Sequence, residues 1–267
     1  MKHLVLAMAS SLFLSSCVSY SQYFQVCRTS FDPEMKRTGD AITFEDAHCI
    51  VTYNLWDKGG NIGFEFYNKT DQTIFLRMDE SFLIVNGIAY DYFQGRTFEH
   101  SSNRGIAQGG LTTSSTPTAT GSSGTASGSA NLRTFGHSVS YLEDRLIAIP
   151  SRTAKIISEY HVTDAALRNC DLPVYPDRRA PVTLLFTRKN SPLVFSNRLS
   201  YHTPAALPVQ IENTFFVSEI TNLGEAQAME YAPADDCTEN RSYTRKIVKG
   251  AAPDKFFIPY RPETGLP

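Results

Sequence analysis

The chain has 267 residues, with 25 Lys and Arg against 27 Asp and Glu, a formal net charge of −2 and 42% hydrophobic content. That is enough apolar material for one large domain or two small ones. The balanced charge leaves no basic footprint of the kind a nucleic-acid surface needs, so no nucleic-acid partner is expected.

At the N-terminus, Lys2 and His3 precede an apolar run from Leu4 to Leu14, too short to span a bilayer as a permanent helix. The run ends in Leu14-Ser15-Ser16-Cys17. This stretch resembles a bacterial lipobox: an aliphatic residue, two small residues, then cysteine. The resemblance implies a signal peptide over residues 1–16, cleavage before Cys17 and a diacylglyceryl group on the Cys17 thiol. The membrane then becomes a partner through the lipid anchor, at roughly 0.8 kcal/mol per buried CH₂. Val18-Ser19-Tyr20-Ser21-Gln22 carries no acidic residue. By likeness to known sorting rules, that favours a periplasm-facing outer-membrane position over inner-membrane retention or surface export.

With Cys17 lipidated, four cysteines remain: Cys27, Cys49, Cys170 and Cys237. An even number in an oxidising compartment implies two disulfides, in one of three connectivities. Nearness in the chain favours Cys27–Cys49. No CxxC or paired cysteine–histidine spacing supports a zinc site.

Residues 17–25 read as a lipidated N-terminus and tether, and Phe24 to Arg28 as an edge strand. Residues 31–46 are polar and turn-rich. Cys49 to Trp56 reads as a strand with Trp56 in the core, and Asp57 to Asn61 as a hairpin turn. The most regular stretch runs from Asn61 to Thr97. Ile62, Phe64 and Phe66 alternate with Gly63, Glu65 and Tyr67, the period of a strand with one buried face. Thr73 to Met78 and Phe82 to Val85 read as two strands interrupted by Asp79-Glu80. Asn86-Gly87 then joins the second of these to Ile88–Phe93, and Asn-Gly between apolar runs predicts a type I′ hairpin.

From Ser101 to Asn131, 20 of 31 residues are Gly, Ser or Thr and another 4 are Ala. Such a segment buries too little apolar surface to offset its ordering entropy and reads as a flexible insertion. Strands resume at Val139–Tyr141, Leu146–Ile149, Lys155–Val162, Val182–Thr187, Leu193–Tyr201 and Gln210–Ile220. Thr163 is placed to N-cap a short helix reaching Arg168. Cys170 to Pro181 is a Pro- and Arg-rich loop. The C-terminal part from Ala232 is polar, except for Phe256-Phe257-Ile258, which is suited to packing back on a sheet.

About ten strands and at most one or two short helices predict an all-β chain, an immunoglobulin-like antiparallel β-sandwich with a long Ser/Thr/Gly-rich insertion. The sandwich is expected as one domain over residues 26–231, with 101–131 as the insertion and 232–267 as a polar tail.

Several stretches are similar to a Bacteroidota envelope lipoprotein family of unassigned function. They are Tyr53-Asn54-Leu55-Trp56, Gly60-Asn61-Ile62-Gly63-Phe64, Tyr67-Asn68-Lys69-Thr70-Asp71 and Asn86-Gly87-Ile88-Ala89-Tyr90-Asp91-Tyr92, then Ile157-Ser158-Glu159-Tyr160, Asn169-Cys170-Asp171-Leu172, Ser191-Pro192-Leu193-Val194-Phe195-Ser196-Asn197-Arg198 and Phe216-Val217-Ser218-Glu219-Ile220-Thr221-Asn222. The resemblance covers most of residues 49–222. It implies one domain split by the insertion, and it carries over no catalytic or ligand residue.

The sequence holds no GxSxG, P-loop, GxGxxG, HExxH or SxxK motif, so no catalytic residue, metal or cofactor is expected. Asp79-Glu80 and Asp235-Asp236 are adjacent carboxylates that fit turn solvation better than acid–base catalysis, since neighbours on a strand point to opposite faces. The candidate ligand contacts are Tyr90, Asp91, Tyr92 and Arg96. On a strand, Tyr90 and Tyr92 share a face, and aromatic planes beside an acid and an arginine suit a glycan surface. The alternative is that the tyrosines are half-buried sandwich residues. The function expected is a non-catalytic binding or structural module of the cell envelope. Its rivals are an accessory component with an envelope-protein or glycan partner, and a hydrolase with dispersed acidic residues.

Overall fold

The computed structural model describes residues 22–104, 135–158, 160–176, 180–204, 206–234 and 243–262. Residues 1–16, where a signal peptide is expected, Cys17, Cys237, Asp235-Asp236 and residues 105–131 of the insertion lie outside them. In chain order the strands are β1 (Tyr23–Phe31), β2 (Met35–Thr38), β3 (Ala41–Glu45), β4 (Cys49–Tyr53), β5 (Phe64–Asn68), β6 (Ile74–Val85), β7 (Ile88–Asp91), β8 (Thr97–Arg104) and β9 (Phe135–Leu142). They continue with β10 (Leu146–Ile149), β11 (Ala154–Ile157), β12 (Thr183–Leu185), β13 (Val194–His202), β14 (Val209–Gly224), a single turn α1 (Glu225–Ala228), β15 (Met229–Ala234), β16 (Tyr243–Val248) and β17 (Lys255–Tyr260).

The chain is all-β, an antiparallel sandwich. One sheet runs β10-β6-β13-β14-β1-β17, with β7 beside β6 and β12 beside β14; the other runs β11-β5-β4-β3-β2. Hairpins β8–β9 and β15–β16 stand apart from both. β6 precedes the insertion and β10 follows it, yet the two pair directly, Ile74 against Ile149. Strands from either side of the insertion thus lie side by side in one sheet. Ser101 to Arg104, expected inside the insertion, is strand, paired in β8 with the start of β9.

The core lies between the inner faces. Phe215 stacks on Phe195 at 5.3 Å and meets the Tyr53 ring edge-on from the other sheet at 5.2 Å. Phe66 and Tyr201 make the same kind of crossing at 5.5 Å. Within this apolar layer sits a polar one. Asn197 and Asn213 face each other across β13 and β14, both buried. Asn213 Nδ2 donates to Tyr53 Oη at 2.8 Å, Tyr92 Oη donates to Asn197 Oδ1 at 2.5 Å, and Asn197 Nδ2 donates to the Ile62 carbonyl at 3.0 Å.

Several expectations are corrected. Thr73–Met78 and Phe82–Val85 form one 12-residue strand, because β6 absorbs Asp79-Glu80 at a bulge where its register with β13 shifts. The two carboxylates are paired with cations: Asp79 with Arg145 at 2.9 Å and Glu80 with Arg77 at 2.7 Å. β1 is not an edge, since it lies between β14 and β17. Residues 31–46 form the β2–β3 hairpin, where Met35 and Ile42 supply the buried side of short strands that read as polar loop. The sandwich continues past residue 231, since Phe256 and Ile258 on β17 are buried in its core.

Cys27 and Cys49 are free thiols on opposite sheets, and Cys170 is free and exposed, so the disulfide expected between Cys27 and Cys49 is absent and Cys170 joins neither. Cys27 packs beside Phe256 and Ile220, whereas Cys49 lies opposite Asn68 on the facing sheet.

The Asn86-Gly87 turn has positive φ at both residues, +48° and +83°. A Cβ on Gly87 would meet nothing within 4 Å, so backbone strain is the whole cost of a side chain there. Gly87→Val should therefore lower stability by about 1–2 kcal/mol in denaturant titration. An unchanged midpoint would mean the turn does not hold this conformation in solution.

Candidate functional site

The four residues expected to form a ligand surface are separated by the fold. Tyr90 lies on edge strand β7 and is 46% exposed, with Asp91 exposed beside it. Tyr92 lies just past the strand end, where the chain turns inward, and is 1% exposed. Its ring is edge-on to Phe64 and Tyr160, and its hydroxyl belongs to the polar layer of the core. Burial thus removes Tyr92 from any surface it would share with Tyr90. Arg96 is engaged by Glu143: its Nε and Nη2 donate to Oε1, and its backbone N–H donates to Oε2. The Gln94 N–H also reaches Glu143 Oε2, at 2.9 Å. This cluster is a structural clamp that ties the start of β8 to the end of β9.

Arg96 and the two backbone donors hold the Glu143 carboxyl down at about 2. An unfolded glutamate titrates near ~4.3, so the clamp's contribution is full above that value and is lost as pH falls through about 2.

A second cluster brings together side chains with nucleophile-like names. Tyr201 Oη donates to Asp46 Oδ2 at 2.6 Å and lies 3.4 Å from His48 Nδ1. Asp46 Oδ1 caps the backbone N–H groups of His48 and Cys49, each at 2.7 Å. Burial opposes ionisation of Asp46, but these hydrogen bonds outweigh it and keep the carboxyl below its usual range. Burial, reinforced by the Asp46 charge, pushes the Cys49 thiol up. A protonated, fully buried thiol is not a nucleophile. The cluster is a capped turn at the head of β4. Among the described residues no three His, Cys, Asp or Glu side chains gather as a metal site would require.

The candidate site is elsewhere, in a cleft of about 530 Å³ at one end of the sandwich. There β1, β14 and β17 run on beyond Cys27, Ile220 and Phe256, and the segment from Asp164 to Tyr175 crosses their inner face. One side chain from each strand fixes that segment. From β1, Gln25 Oε1 accepts the Leu167 N–H at 2.7 Å while its Nε2 donates to the Leu167 carbonyl at 2.9 Å. The amide thus pairs with Leu167 as a neighbouring strand would. From β14, Asn222 Nδ2 donates to the Pro173 carbonyl at 2.9 Å, and its Oδ1 accepts a hydrogen from Gln25 at 2.9 Å. From β17, Tyr260 Oη donates to the Val174 carbonyl at 2.5 Å. Burial of Tyr260, together with the neighbouring Tyr23 and Tyr175, pushes its hydroxyl pKa up, so it stays a donor.

The lead-in to the segment is held as well. Val162 and Thr163 N–H groups donate to the carbonyls of Gly60 and Gly59, at 2.9 and 3.0 Å. A Cβ on Gly59 would sit 2.5 Å from the Thr163 carbonyl oxygen, so this approach needs glycine. The helix expected over 163–168 does not form. The Thr163 hydroxyl closes a local turn on Ala165, and Gln25 takes up the Leu167 backbone that a helix would use internally.

Leu167, Leu172, Ile258 and Pro259 line the cleft, Tyr175 and Tyr260 flank it, and Asp164, Arg168 and Arg261 stand exposed at its mouth. Tyr23 stacks on Tyr260 at 5.7 Å and leans on Tyr175 at 5.2 Å. Sequence reading passed over Gln25, Asn222 and Tyr260; the available signal was two amides at inward-facing strand positions where apolar residues were due. Trp56, expected in the core, is half-buried and packs on Phe257 at 5.3 Å. It lines a shallower groove under β16, together with Met229 and Arg245.

The fold and the cleft together define an all-β sandwich with a ligand-sized site at one end, bridged by a tethered segment. Comparison of the chain with protein-family models, curated proteins and solved structures finds no match.

Two outcomes are expected. Gln25→Leu should strip hydrogen-exchange protection from the Leu167 amide and leave the β13–β14 ladder protected, at a stability cost of roughly 1–3 kcal/mol for the groups left unpaired. Equal exchange at Leu167 in both proteins would mean the segment is not hung on Gln25. Glu143→Gln should flatten the thermal stability profile between about pH 5 and pH 2 relative to the unsubstituted chain, the two curves converging at the acid end. Parallel curves would show that Glu143 is not held ionised by Arg96.

Proposed function

We propose that this chain is a lipid-anchored protein of a bacterial cell envelope that works by binding and not by catalysis, with the end cleft as its ligand site. The cleft carries the reading. It is a walled space of about 530 Å³, within the ~300–1,000 Å³ range of small-molecule sites. Its crossing segment is fixed by one side chain from each of three adjacent strands. Groups held that firmly are preorganised, which lowers the ordering cost of binding. Asp164 is the sole carboxylate among the described lining residues. A hydrolase working by paired carboxylates needs two with separated pKa values, so the lining suits retention of a ligand better than its cleavage.

The address rests on the lipobox-like Leu14-Ser15-Ser16-Cys17 and on the resemblance of the quoted stretches within residues 49–222 to a Bacteroidota envelope lipoprotein family. The residues after Cys17 favour the periplasmic face of the outer membrane. In this reading the anchor supplies location, the sandwich a rigid scaffold, and the crossing segment the contact surface.

Cys17→Ala should move the protein from the membrane pellet to the soluble fraction and abolish incorporation of labelled palmitate. A variant that stays in the pellet and keeps its label would remove the anchor from the proposal.

A further inference from the structure

We infer that the end cleft is built for a single acyl chain bearing an anionic head group, of the fatty-acid or lysophospholipid class. This deepens the proposed function and rests on its assignment of the cleft as the ligand site.

The hydrogen-bond inventory of the cleft decides between a sugar and an acyl chain. Gln25 uses both amide hydrogens, on the Leu167 carbonyl and Asn222 Oδ1, and its oxygen on the Leu167 N–H. Asn222 gives one of its two amide hydrogens to the Pro173 carbonyl. The Tyr260 hydroxyl hydrogen goes to the Val174 carbonyl. These three side chains are therefore spent on holding the crossing segment, with one Asn222 hydrogen to spare; of the other polar lining residues, Asn169 gives its Oδ1 to the Asp171 N–H and Tyr175 is an exposed side chain. A sugar drawn inside would bring several hydroxyls to walls with little left to bond them, and unpaired buried hydroxyls weaken binding. A methylene chain asks nothing of the floor and gains from contact with Leu167, Leu172, Ile258 and Pro259.

The mouth sets the head group. Among the described lining residues the mouth carries Arg168, Arg261 and one carboxylate, Asp164, and the exposed Arg261 guanidinium is the group offered to a carboxylate or phosphate. This separates a free anionic lipid from the diacylglyceryl group proposed for Cys17, which offers the same chains without an anion. The site is also close to the proposed bilayer. Tyr23, whose ring packs on Tyr260 and Tyr175, follows Cys17 by six positions (23 − 17), a tether of at most roughly 20 Å.

Cys170, exposed and among the cleft residues, provides the readout. Cys27 and Cys49 are buried, and burial pushes both thiols up, so neither competes for a maleimide. In full-length protein carrying Cys17→Ala and Cys237→Ser, the rate of maleimide addition to Cys170 is measured with palmitate, hexadecanol or maltose. Palmitate at about ten times its dissociation constant should slow the reaction about tenfold. Hexadecanol, with the same chain and no charge, should protect less at equal concentration. The exposed substitution Arg261→Glu should erase the difference between the two without altering the melting temperature.

Protection by maltose and not by palmitate would overturn the acyl assignment and leave the binding role standing. No protection by any of the three would overturn both. Equal protection by palmitate and hexadecanol would overturn the anionic head group. In the lipidated protein with Cys17 intact, Cys170 protection that added palmitate cannot change would reassign the occupant to the chain's own lipid.

Discussion

The pair of asparagines facing each other across β13 and β14 sets the relation between the two sheets. Asn197 and Asn213 sit where the apolar alternation calls for hydrocarbon, and each reaches across the core, one to the Ile62 backbone and the Tyr92 hydroxyl, the other to Tyr53. A buried amide without partners costs far more than a misfit methyl, so a slip of either sheet that orphaned these groups is penalised steeply. Apolar side chains such as Phe195, Phe215 and Phe66 supply most of the driving force, but they tolerate small displacements. The amides and phenols do not, and they define which residues of one sheet lie over which residues of the other.

The same device is used again at the end of the sandwich. Gln25 and Asn222 occupy inward positions on β1 and β14, where the inner face extends past the main core cluster. Instead of bonding a facing strand they bond the backbone of a segment that has no regular structure of its own. An irregular segment over a buried face would otherwise leave carbonyl and N–H groups unsatisfied. The two amides and the Tyr260 hydroxyl remove that penalty at Leu167, Pro173 and Val174. What remains between segment and sheet is a space lined by Leu167, Leu172, Ile258 and Pro259, with the Gln25 amide and the Tyr260 hydroxyl engaged by the segment. Core specification and site construction therefore draw on one physical rule.

Much of the sandwich was legible before any coordinates. The alternation through Ile62, Phe64 and Phe66 marks β5, and the Asn86-Gly87 turn appears with positive φ at both residues because the dipeptide has few other uses between strands. Other elements were hidden for identifiable reasons. β2 and β3 are short, and β2 buries only Met35, so its composition reads as loop. The bulge in β6 lets Asp79 and Glu80 stay in the strand with Arg145 and Arg77 as partners from elsewhere in the sequence, which no local pattern reveals. Tyr92 looked like a partner of Tyr90 because period two was extended one residue too far; the strand ends at Asp91 and the chain turns into the core.

The sequence by itself determined the all-β class, the Asn86-Gly87 hairpin and the apolar faces, because these depend on period, turn chemistry and composition over a few neighbouring residues. The tertiary structure decided where the cleft lies and what lines it, because Gln25, Leu167, Asn222 and Tyr260 come from four distant parts of the chain and meet only once the strands have been ordered. It also decided the state of the thiols. Cys27 and Cys49 are 22 residues apart (49 − 27) in sequence but lie on opposite sheets with different neighbours, and proximity along a chain is not proximity in a sandwich.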